Sequence, residues 1–204
     1  FYEIASEIEQ SIKKIWTDKP TEIRTDKLND KAQSFIEFVN RIDHLREVTR
    51  TSSIKYFLIS APTSYGKTRL LKKIMDLQQQ KSFCIDIDYS KQKNLTVTHL
   101  IKNILDYCHI TNSTLIPSQV AFAMHRATEE SGKNEVLICV DGADAFSLHA
   151  IKELLNEFIP KIANTISEKY NILDLRIIFS VCQSSPWLQT SSPIILKEIP
   201  LTPS

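Results

Sequence analysis

The sequence predicts an α/β domain built around a parallel β-sheet, and two patterns carry this prediction. Short apolar runs, expected to form strands, alternate along the chain with longer stretches in which apolar residues recur every three or four positions. Strands that are separated by helices tend to pair in parallel. The 204 residues, 42% of them hydrophobic and 24% charged, suffice for one main domain with a core of two or three layers.

Five apolar runs are expected to form the strands of this sheet. The run at 136–140 is entirely apolar, which is typical of a strand covered by other elements on both faces. The predicted strands are 56–60, 83–87, 136–140, 177–181 and 194–196.

Amphipathic periodicity predicts the helices that lie between these strands. In the helix after the first strand, for example, Leu70, Ile74 and Leu77 share one face. The predicted helices of the main domain are 67–80, 97–109, 118–131 and 148–169. Pro160 lies within the last of them and is expected to kink it or divide it in two, because proline removes a backbone donor.

The N-terminal region is predicted to be helical around a polar linker. Residues 1–16 have the periodicity of an amphipathic helix, residues 17–30 form a polar segment with one proline, and two further helices are predicted at 31–37 and 38–48. We therefore expect an N-terminal helix and linker at 1–34 and the main domain at 35–204. The helix at 1–16 is expected to pack on this domain, with a linker or dimerising role as the alternative.

Charge and cysteine usage limit the classes of function. Lys and Arg number 25 and Asp and Glu 24, so no basic excess of the kind that coats nucleic acid is present, although a local basic patch is not excluded. No apolar run approaches the roughly 18 residues that a membrane span needs, and no membrane partner is expected. The cysteines lack C-x-x-C spacing and are expected to be core residues of a cytoplasmic protein: Cys84, Cys108, Cys139 and Cys182.

The turn after the first predicted strand, APTSYGKT at 61–68, carries the main chemical signal. It matches the phosphate-binding pattern G-x-x-x-x-G-K-[ST], with Ala61 in place of the first glycine. Alanine fits there if its φ is negative. Gly66 lets the backbone approach a phosphate, Lys67 is suited to bind the β- and γ-phosphates, and the Thr68 hydroxyl is suited to bind Mg²⁺. A plain strand–turn–helix connection is the alternative.

All residues of this loop and the first residues of the helix are candidate nucleotide-binding residues. A strand precedes the loop and a helix follows it, as a phosphate site at a helix N-terminus requires. The candidates are Ala61, Pro62, Thr63, Ser64, Tyr65, Gly66, Lys67, Thr68 and Arg69.

The third predicted strand ends in an acidic residue that fits the same chemistry. Asp141 follows the apolar run, at the edge of the sheet where ligands of α/β proteins gather, and is a candidate Mg²⁺ ligand together with Thr68. Asp144 is a catalytic candidate that positions either the attacking water or a Mg²⁺-bound water, with capping of the helix that begins near 147 as an equal alternative. Polar residues after the fourth strand, Ser180, Gln183 and Ser184, are candidate γ-phosphate sensors.

Three segments together resemble a known class of proteins. FVNR at 38–41, APTSYGKT at 61–68 and VLICVDGAD at 136–144 look like the STAND class of P-loop ATPases, which includes the NACHT and NB-ARC domains and is related to AAA+ ATPases. The resemblance implies a three-layer P-loop NTPase with a parallel five-stranded sheet in the order 5-1-4-3-2 and helices on both faces. It also implies that Lys67, Asp141 and Asp144 form the catalytic set.

The same resemblance implies ligands and partners. ATP or ADP with Mg²⁺ would be the cofactors, and Val39 and Arg41 would lie beside the adenine. Proteins of this class are switches in which the nucleotide state controls oligomerisation and an attached effector, so we expect a homo-oligomer on activation. The lid and effector domains of such a protein are absent from this chain and are expected elsewhere in a full-length protein.

Several positions depart from the pattern of the class. Asn40 and Ile42 replace a glycine and a glutamate of the entry signature, and Ala145 replaces the last acidic residue of the third strand's motif. The segment 180–182 occupies the place of a Thr-Thr-Arg sequence, so the arginine that would sense the γ-phosphate is missing. We therefore expect slow hydrolysis from this chain.

Three alternative functions remain open at this stage. The first is an AAA+ ATPase of the origin-recognition or loader type that acts on DNA, which would ordinarily carry Asp-Glu where this chain has Asp141 and Gly142. The second is a helicase core, disfavoured because the same Asp-Glu pair and a second motor domain are missing. The third is a degenerate P-loop scaffold without enzymatic activity.

Overall fold

The computed structural model describes residues 45, 48, 55–110, 114–170, 172, 174–182, 184–189 and 196–201. The chain divides into two units, Phe1–Asn40 and Arg41–Ser204, and every described residue belongs to the second. The elements predicted at 1–16, 17–30 and 31–37 lie outside the described residues. Within the helix predicted at 38–48, Leu45 and Val48 are described, and both are helical and buried.

The sheet has five parallel strands, which confirms the fold class. The strands are β1 (Tyr56–Ser60), β2 (Ser82–Asp88), β3 (Glu135–Asp141), β4 (Asp174–Val181) and β5 (Leu196–Pro200). Their order across the sheet is β2-β3-β4-β1-β5, which is the order that the resemblance implied, read from the other edge. All four pairings are parallel.

The fifth strand differs from the prediction of 194–196. It runs over Leu196–Pro200 and pairs with β1 from Tyr56 opposite Leu196 to Ser60 opposite Pro200. Charged residues within the strand interrupt its apolar pattern, which is why periodicity alone placed it too early. A proline is tolerated here because β5 is an edge strand, where one row of backbone N–H groups needs no partner strand.

Between the described strands lie five α-helices. They are α1 (Lys67–Gln78), α2 (Val97–Tyr107), α3 (Pro117–Ser131), α4 (Leu148–Glu153) and α5 (Ile159–Lys169). Two short 3₁₀ helices, Ala143–Ala145 and Pro186–Gln189, follow β3 and β4. The connections therefore alternate with the strands as the sequence predicts.

Pro160 interrupts the long helix predicted at 148–169. A π-helical turn, Leu154–Phe158, lies between α4 and α5, and Pro160 lies in the first turn of α5. Proline cannot donate to the carbonyl four residues earlier, so the hydrogen-bonding pattern changes in the turn that precedes it. The long helix is therefore divided in two near Pro160, as the sequence predicts, although the segment stays helical throughout.

Both faces of the sheet are covered. Helix α1 packs against β2, β3 and β4, and buries Leu70, Leu71 and Ile74. The alternate strand residues, such as Ile138 and Phe179, belong to the large core cluster that also contains the buried residues of α2 to α5. Burial on both faces explains why β3 is apolar throughout and buried from Val136 to Asp141.

The four cysteines are free thiols. Cys108 and Cys139 are buried, as expected for core residues, while Cys84 and Cys182 are half-buried. Among the residues described, no helix combines the length and apolar character needed to cross a bilayer.

Candidate nucleotide-binding site

The loop between β1 and α1 leaves the first turn of α1 free to meet an anion. Gly66 immediately precedes the helix with a φ of 76°, a left-handed conformation that glycine adopts without strain. No side chain caps the helix and no acidic residue lies in its first turn. The first N–H groups of a helix have no partner within the helix, so this end of α1 is suited to a phosphate.

The alanine that replaces the first glycine fits the loop. Ala61 is buried, and its φ is not positive, so an alanine is tolerated at this position of the loop. Its N–H donates to the carbonyl of Val181 at 3.2 Å, so the loop is fastened to the end of β4. Ser64 carries the strain instead, with a φ of 69° in a region that non-glycine residues rarely adopt.

Lys67 is held at the loop by neutral acceptors. Its Nζ donates to the carbonyl oxygens of Ala61 and Pro62, both at 2.9 Å. Among the described residues no carboxylate pairs with it. The ammonium is therefore positioned, yet no carboxylate in the described ranges neutralises its positive charge.

Asp141 is held by neutral donors in a complementary way. The Thr68 and Ser180 hydroxyls each donate to its carboxylate, and the N–H of Gly142 donates to Oδ1 at 3.0 Å. The residue is only 6% exposed. No Lys, Arg or His in the described part of the chain pairs with it. A buried carboxylate that lacks a cation is costly, so the arrangement is suited to a bound cation.

Thr68 and Asp141 are a suitable donor set for Mg²⁺. This ion prefers hard oxygen ligands, usually one or two from protein together with phosphate oxygens and water. Direct contact between the Thr68 hydroxyl and the Asp141 carboxylate brings two such oxygens together. The described residues contain no cluster of three or more His, Cys, Asp or Glu side chains for a metal held by protein alone, and Mg²⁺ bound through a nucleotide does not need one.

Asp144 does not cap the helix that follows, which was one of its two predicted roles. The N-terminal cap of α4 is Ser147, whose hydroxyl accepts from the N–H of Ala150 at 3.2 Å. The Asp144 Oδ2 atom accepts instead from the backbone N–H of Cys182 at 2.6 Å. This bond links the segment after β3 to the end of β4, because parallel strands end at the same edge of the sheet.

The end of β4 brings a thiol to the site. Burial raises the pKa of Cys182, and the hydrogen bond of its thiol with Asp144 raises that pKa further. The positive charge of Lys67 acts on the same pKa in the opposite direction. Of the three predicted sensors, Ser180 contacts Asp141, Ser184 is exposed away from the cavity, and Gln183 lies outside the described residues.

A cavity of about 740 Å³ joins these groups. Its volume is in the range of small-molecule sites. From the loop between β1 and α1 and the first turn of α1, the residues that line it are Thr63, Ser64, Gly66, Lys67, Thr68 and Arg69. Asp141, Asp144, Ser180 and Cys182 line it from the ends of β3 and β4. Ala61, Pro62 and Tyr65 are not on its wall, and Val39 and Arg41 lie outside the described residues.

The loop between β2 and α2 forms a further wall that the sequence analysis missed. It contributes Ser90, Gln92, Lys93 and Asn94 to the cavity. These residues match no motif, but β2 is parallel to β3 and its carboxyl end meets the same edge of the sheet. Ligands of α/β proteins bind beyond the carboxyl ends of the strands, and applying this rule to β2 as well as to β1 and β3 would have found the loop.

Gly142 is required by the approach of this loop. Its φ is 68°, and an added Cβ would lie 2.5 Å from the backbone nitrogen of Ser90. No other residue fits without a shift of backbone. The Asp-Glu pair typical of many AAA+ ATPases is therefore incompatible with this local geometry, since its glutamate would stand at the position of Gly142.

Comparison with known proteins supports the fold. No protein-family model matches the sequence, and no curated protein sequence matches it. Among solved structures, it is similar to Cdc6p from Pyrobaculum aerophilum, with a TM-score of 0.54 and 13% sequence identity. The match covers 91% of this chain and 47% of that chain, so the chain spans about half the length of this neighbour. At this identity the likeness concerns the fold alone, an α/β fold with the parallel five-stranded sheet of a P-loop NTPase.

Proposed function

We propose that this chain is an ATP- or ADP-binding P-loop NTPase module that acts as a nucleotide-dependent switch. The observation that carries the proposal is a pair of charges that face one cavity without neutralising partners among the described residues: the Lys67 ammonium and the buried Asp141 carboxylate. A triphosphate with Mg²⁺ complements both, because its oxygens accept from the ammonium and its metal binds the carboxylate.

Slow hydrolysis follows from the residues that surround this pair. Gly142 excludes a second acidic residue next to Asp141, so Asp144 is the acid proposed to orient the attacking water. Its carboxylate lines the cavity and is oriented by the N–H of Cys182. The end of β4 offers Ser180 and Cys182 to the cavity where an arginine would stabilise negative charge in the transition state.

The signalling context is part of the same proposal. The three segments that resemble STAND proteins support a module that controls an attached effector domain through its nucleotide state, in a signalling or defence protein. Such a switch requires contacts that differ between the two nucleotide states. The bond from Asp144 to the segment after β4 is suited to this, since it joins two walls of the cavity.

The decisive experiment measures thermal unfolding of the 204-residue chain with Mg·ATP and Mg·ADP. Ligand at about 100 times its Kd stabilises a protein by about 2.7 kcal/mol, which raises the melting temperature of a domain of this size by several degrees. Lys67→Ala is expected to abolish the shift because it removes the phosphate-binding charge. Lys55→Ala is the matched control, since Lys55 lies at the opposite edge of the sheet beside Asp174.

Each outcome bears on the proposal. A shift that Lys67→Ala abolishes and Lys55→Ala preserves supports it, provided that circular dichroism shows both variants folded. No shift in the wild-type chain with ATP at about 1 mM, a concentration that saturates sites of micromolar affinity, contradicts nucleotide binding and favours a degenerate scaffold. A turnover of several per second would contradict slow hydrolysis.

A second candidate is an AAA+ ATPase of the origin-recognition or loader type that acts on DNA. The structural similarity to Cdc6p is the observation in its favour. The net charge of +1 and the replacement of the usual glutamate by Gly142 are against it. Affinity for duplex DNA that falls steeply with salt concentration would favour this candidate, because phosphate contacts release counterions.

A further inference from the structure

Lys93 is a cation in the cavity wall that no motif of the sequence accounts for. It lies in the loop between β2 and α2 and lines the cavity together with Lys67 and Asp141. In the described part of the chain it has no hydrogen-bonding or ion-pair partner. Lys91, two residues earlier, does not line the cavity, and its charge acts on Asp88 instead.

The loop that carries Lys93 is hydrogen-bonded to the end of β3 at its start and to the segment after β3 at its end. At its start, the N–H of Tyr89 donates to the carbonyl of Asp141 at 2.9 Å. At its end, the N–H of Leu95 donates to the carbonyl of Ala145 at 2.8 Å and its carbonyl accepts from Ser147 at 3.3 Å. Lys93 is therefore held at a defined place relative to Asp141.

Packing beneath the loop adds to this definition. Tyr89 is 1% exposed and meets Phe146 edge to face, with ring centroids 5.4 Å apart. Its hydroxyl accepts from Asn103 at 2.7 Å, so α2 also holds the start of the loop. The backbone of Ser90 packs so closely against Gly142 that residue 142 has no room for a side chain. A loop with such support does not drift from the site, whereas the long side chain of Lys93 remains free to reach a ligand.

The charges of the site give Lys93 a role. The terminal phosphate of a nucleoside triphosphate carries the most negative charge, and the end of β4 supplies a serine and a cysteine in place of a cation. Strand β2 lies three positions from β1 in the sheet, so Lys93 and Lys67 approach the cavity from different sides. We propose that Lys93 binds the terminal phosphate of a bound nucleoside triphosphate and so distinguishes the triphosphate from the diphosphate.

This inference rests on the proposed function, and its test separates the two. Isothermal titration calorimetry of the 204-residue chain with Mg²⁺ would compare the non-hydrolysable triphosphate AMP-PNP with ADP, in the wild type and in Lys93→Ala, Lys93→Arg and Lys91→Ala. A charge-assisted hydrogen bond predicts that Lys93→Ala weakens AMP-PNP binding about 10-fold or more. Binding of ADP is expected to stay within about twofold, the usual effect of removing a distant surface charge.

The other variants provide the controls. Lys93→Arg keeps the positive charge and is expected to restore most of the affinity for AMP-PNP, while Lys91→Ala is expected to change neither affinity. Equal weakening of both nucleotides, or no change in either, overturns the assignment of Lys93 while leaving the proposed function intact. Failure of the wild type to bind either nucleotide overturns both. Loss of binding to duplex DNA in Lys93→Ala, with nucleotide affinities unchanged, assigns the lysine to a polynucleotide and also overturns the proposal.

Discussion

Two aspartates lie at opposite ends of neighbouring strands, and their carboxylates have different partners: cations in one case and neutral donors in the other. Asp174, at the start of β4, lies 2.6 Å from Arg176 Nη2 and 3.5 Å from Lys55 Nζ, so cations of the protein neutralise it. Asp141, at the end of β3, is held by two hydroxyls and one backbone N–H, all of them uncharged. Neutral donors offset the loss of hydration of a carboxylate without cancelling its charge.

The contrast separates a structural from a functional use of charge. At the amino edge, Arg176 also donates to the carbonyl of Val48 at 3.3 Å, so the ion pair ties a distant segment to the sheet. At the carboxyl ends of the strands, Lys67 and Asp141 line one cavity, and neither is paired with an opposite charge among the described residues. An uncompensated charge persists in a fold where it serves a ligand, so the carboxyl edge is the edge to test for binding.

The largest effect is expected from Gly142→Ala. The new Cβ would meet the backbone of Ser90 at 2.5 Å with φ at 68°, so one of the two backbone segments must move. We expect a loss of about 4 kcal/mol in the free energy of unfolding, at the upper end of single substitutions. Urea denaturation followed by circular dichroism measures it.

Gly132→Ala is the matched control at the opposite end of β3, because Gly132 lies just before that strand. Gly132 also has a positive φ, 66°, but an added Cβ there meets open space. Only the strain of the backbone remains, and we expect a loss of about 1 kcal/mol. Equal losses in the two variants would show that the contact with Ser90 is not what requires glycine at 142.

Arg176→Ala is expected to weaken the fold without affecting the site. It leaves the Asp174 carboxylate half-buried with Lys55 as its remaining cation, so we expect a loss of about 2 kcal/mol, less than for a fully buried pair. The affinity for Mg·ATP is expected to stay within about twofold, because the two edges are separated by the length of the strands. A large loss of affinity at unchanged unfolding free energy would contradict the division between the two edges.

The smallest effect, on thiol reactivity, distinguishes the cysteines. Burial raises the pKa values of Cys84, Cys108 and Cys182, that of Cys108 to about 12. Since the thiolate is the reactive form and the pKa of Cys182 is raised above its ordinary value, alkylation of Cys182 by iodoacetamide is expected to accelerate as the solution becomes more alkaline, while Cys108 stays unreactive. Mg·ATP is expected to slow alkylation of Cys182, which lines the cavity, and to leave Cys84 unaffected.

Mass spectrometry of the labelled peptides gives the rate at each cysteine. Cys84 is the internal control because it is half-buried like Cys182 and lies away from the cavity. Equal protection of both cysteines by nucleotide would indicate a general stabilisation of the fold rather than occupation of the cavity.

Most of the fold was predictable because its signals are local. The apolar run of β3 and the periodic faces of the helices are visible in any short window of sequence. Strand β5 was placed wrongly because Lys197 and Glu198 interrupt its pattern, and what makes it a strand is its pairing with β1. The turn between β1 and α1 and the position of Asp141 at the end of β3 were predictable because a motif specifies both residue type and place along the chain.

The remainder of the site was not predictable from local pattern. The local pattern fitted Asp144 equally well as a helix cap, and it is the position of β4 beside β3 that brings Cys182 within reach of its carboxylate. Lys93 belongs to no motif and reaches the cavity because β2 ends beside β3. Contacts between loops depend on the order of the strands, which the residues of a loop do not encode.

The sequence by itself determined the alternation of strands and helices, the turn between β1 and α1 and the acidic end of β3, because each depends on residues that are close together in the chain. It also showed that only three glycines are present. Tertiary structure decided why one of them, Gly142, cannot be replaced. It also decided that Asp144 and Lys93 line the cavity, and which charges have no oppositely charged partner among the described residues. The physical reason is that burial and pairing of charge depend on neighbours in space, and these are set by the folding of the whole sheet.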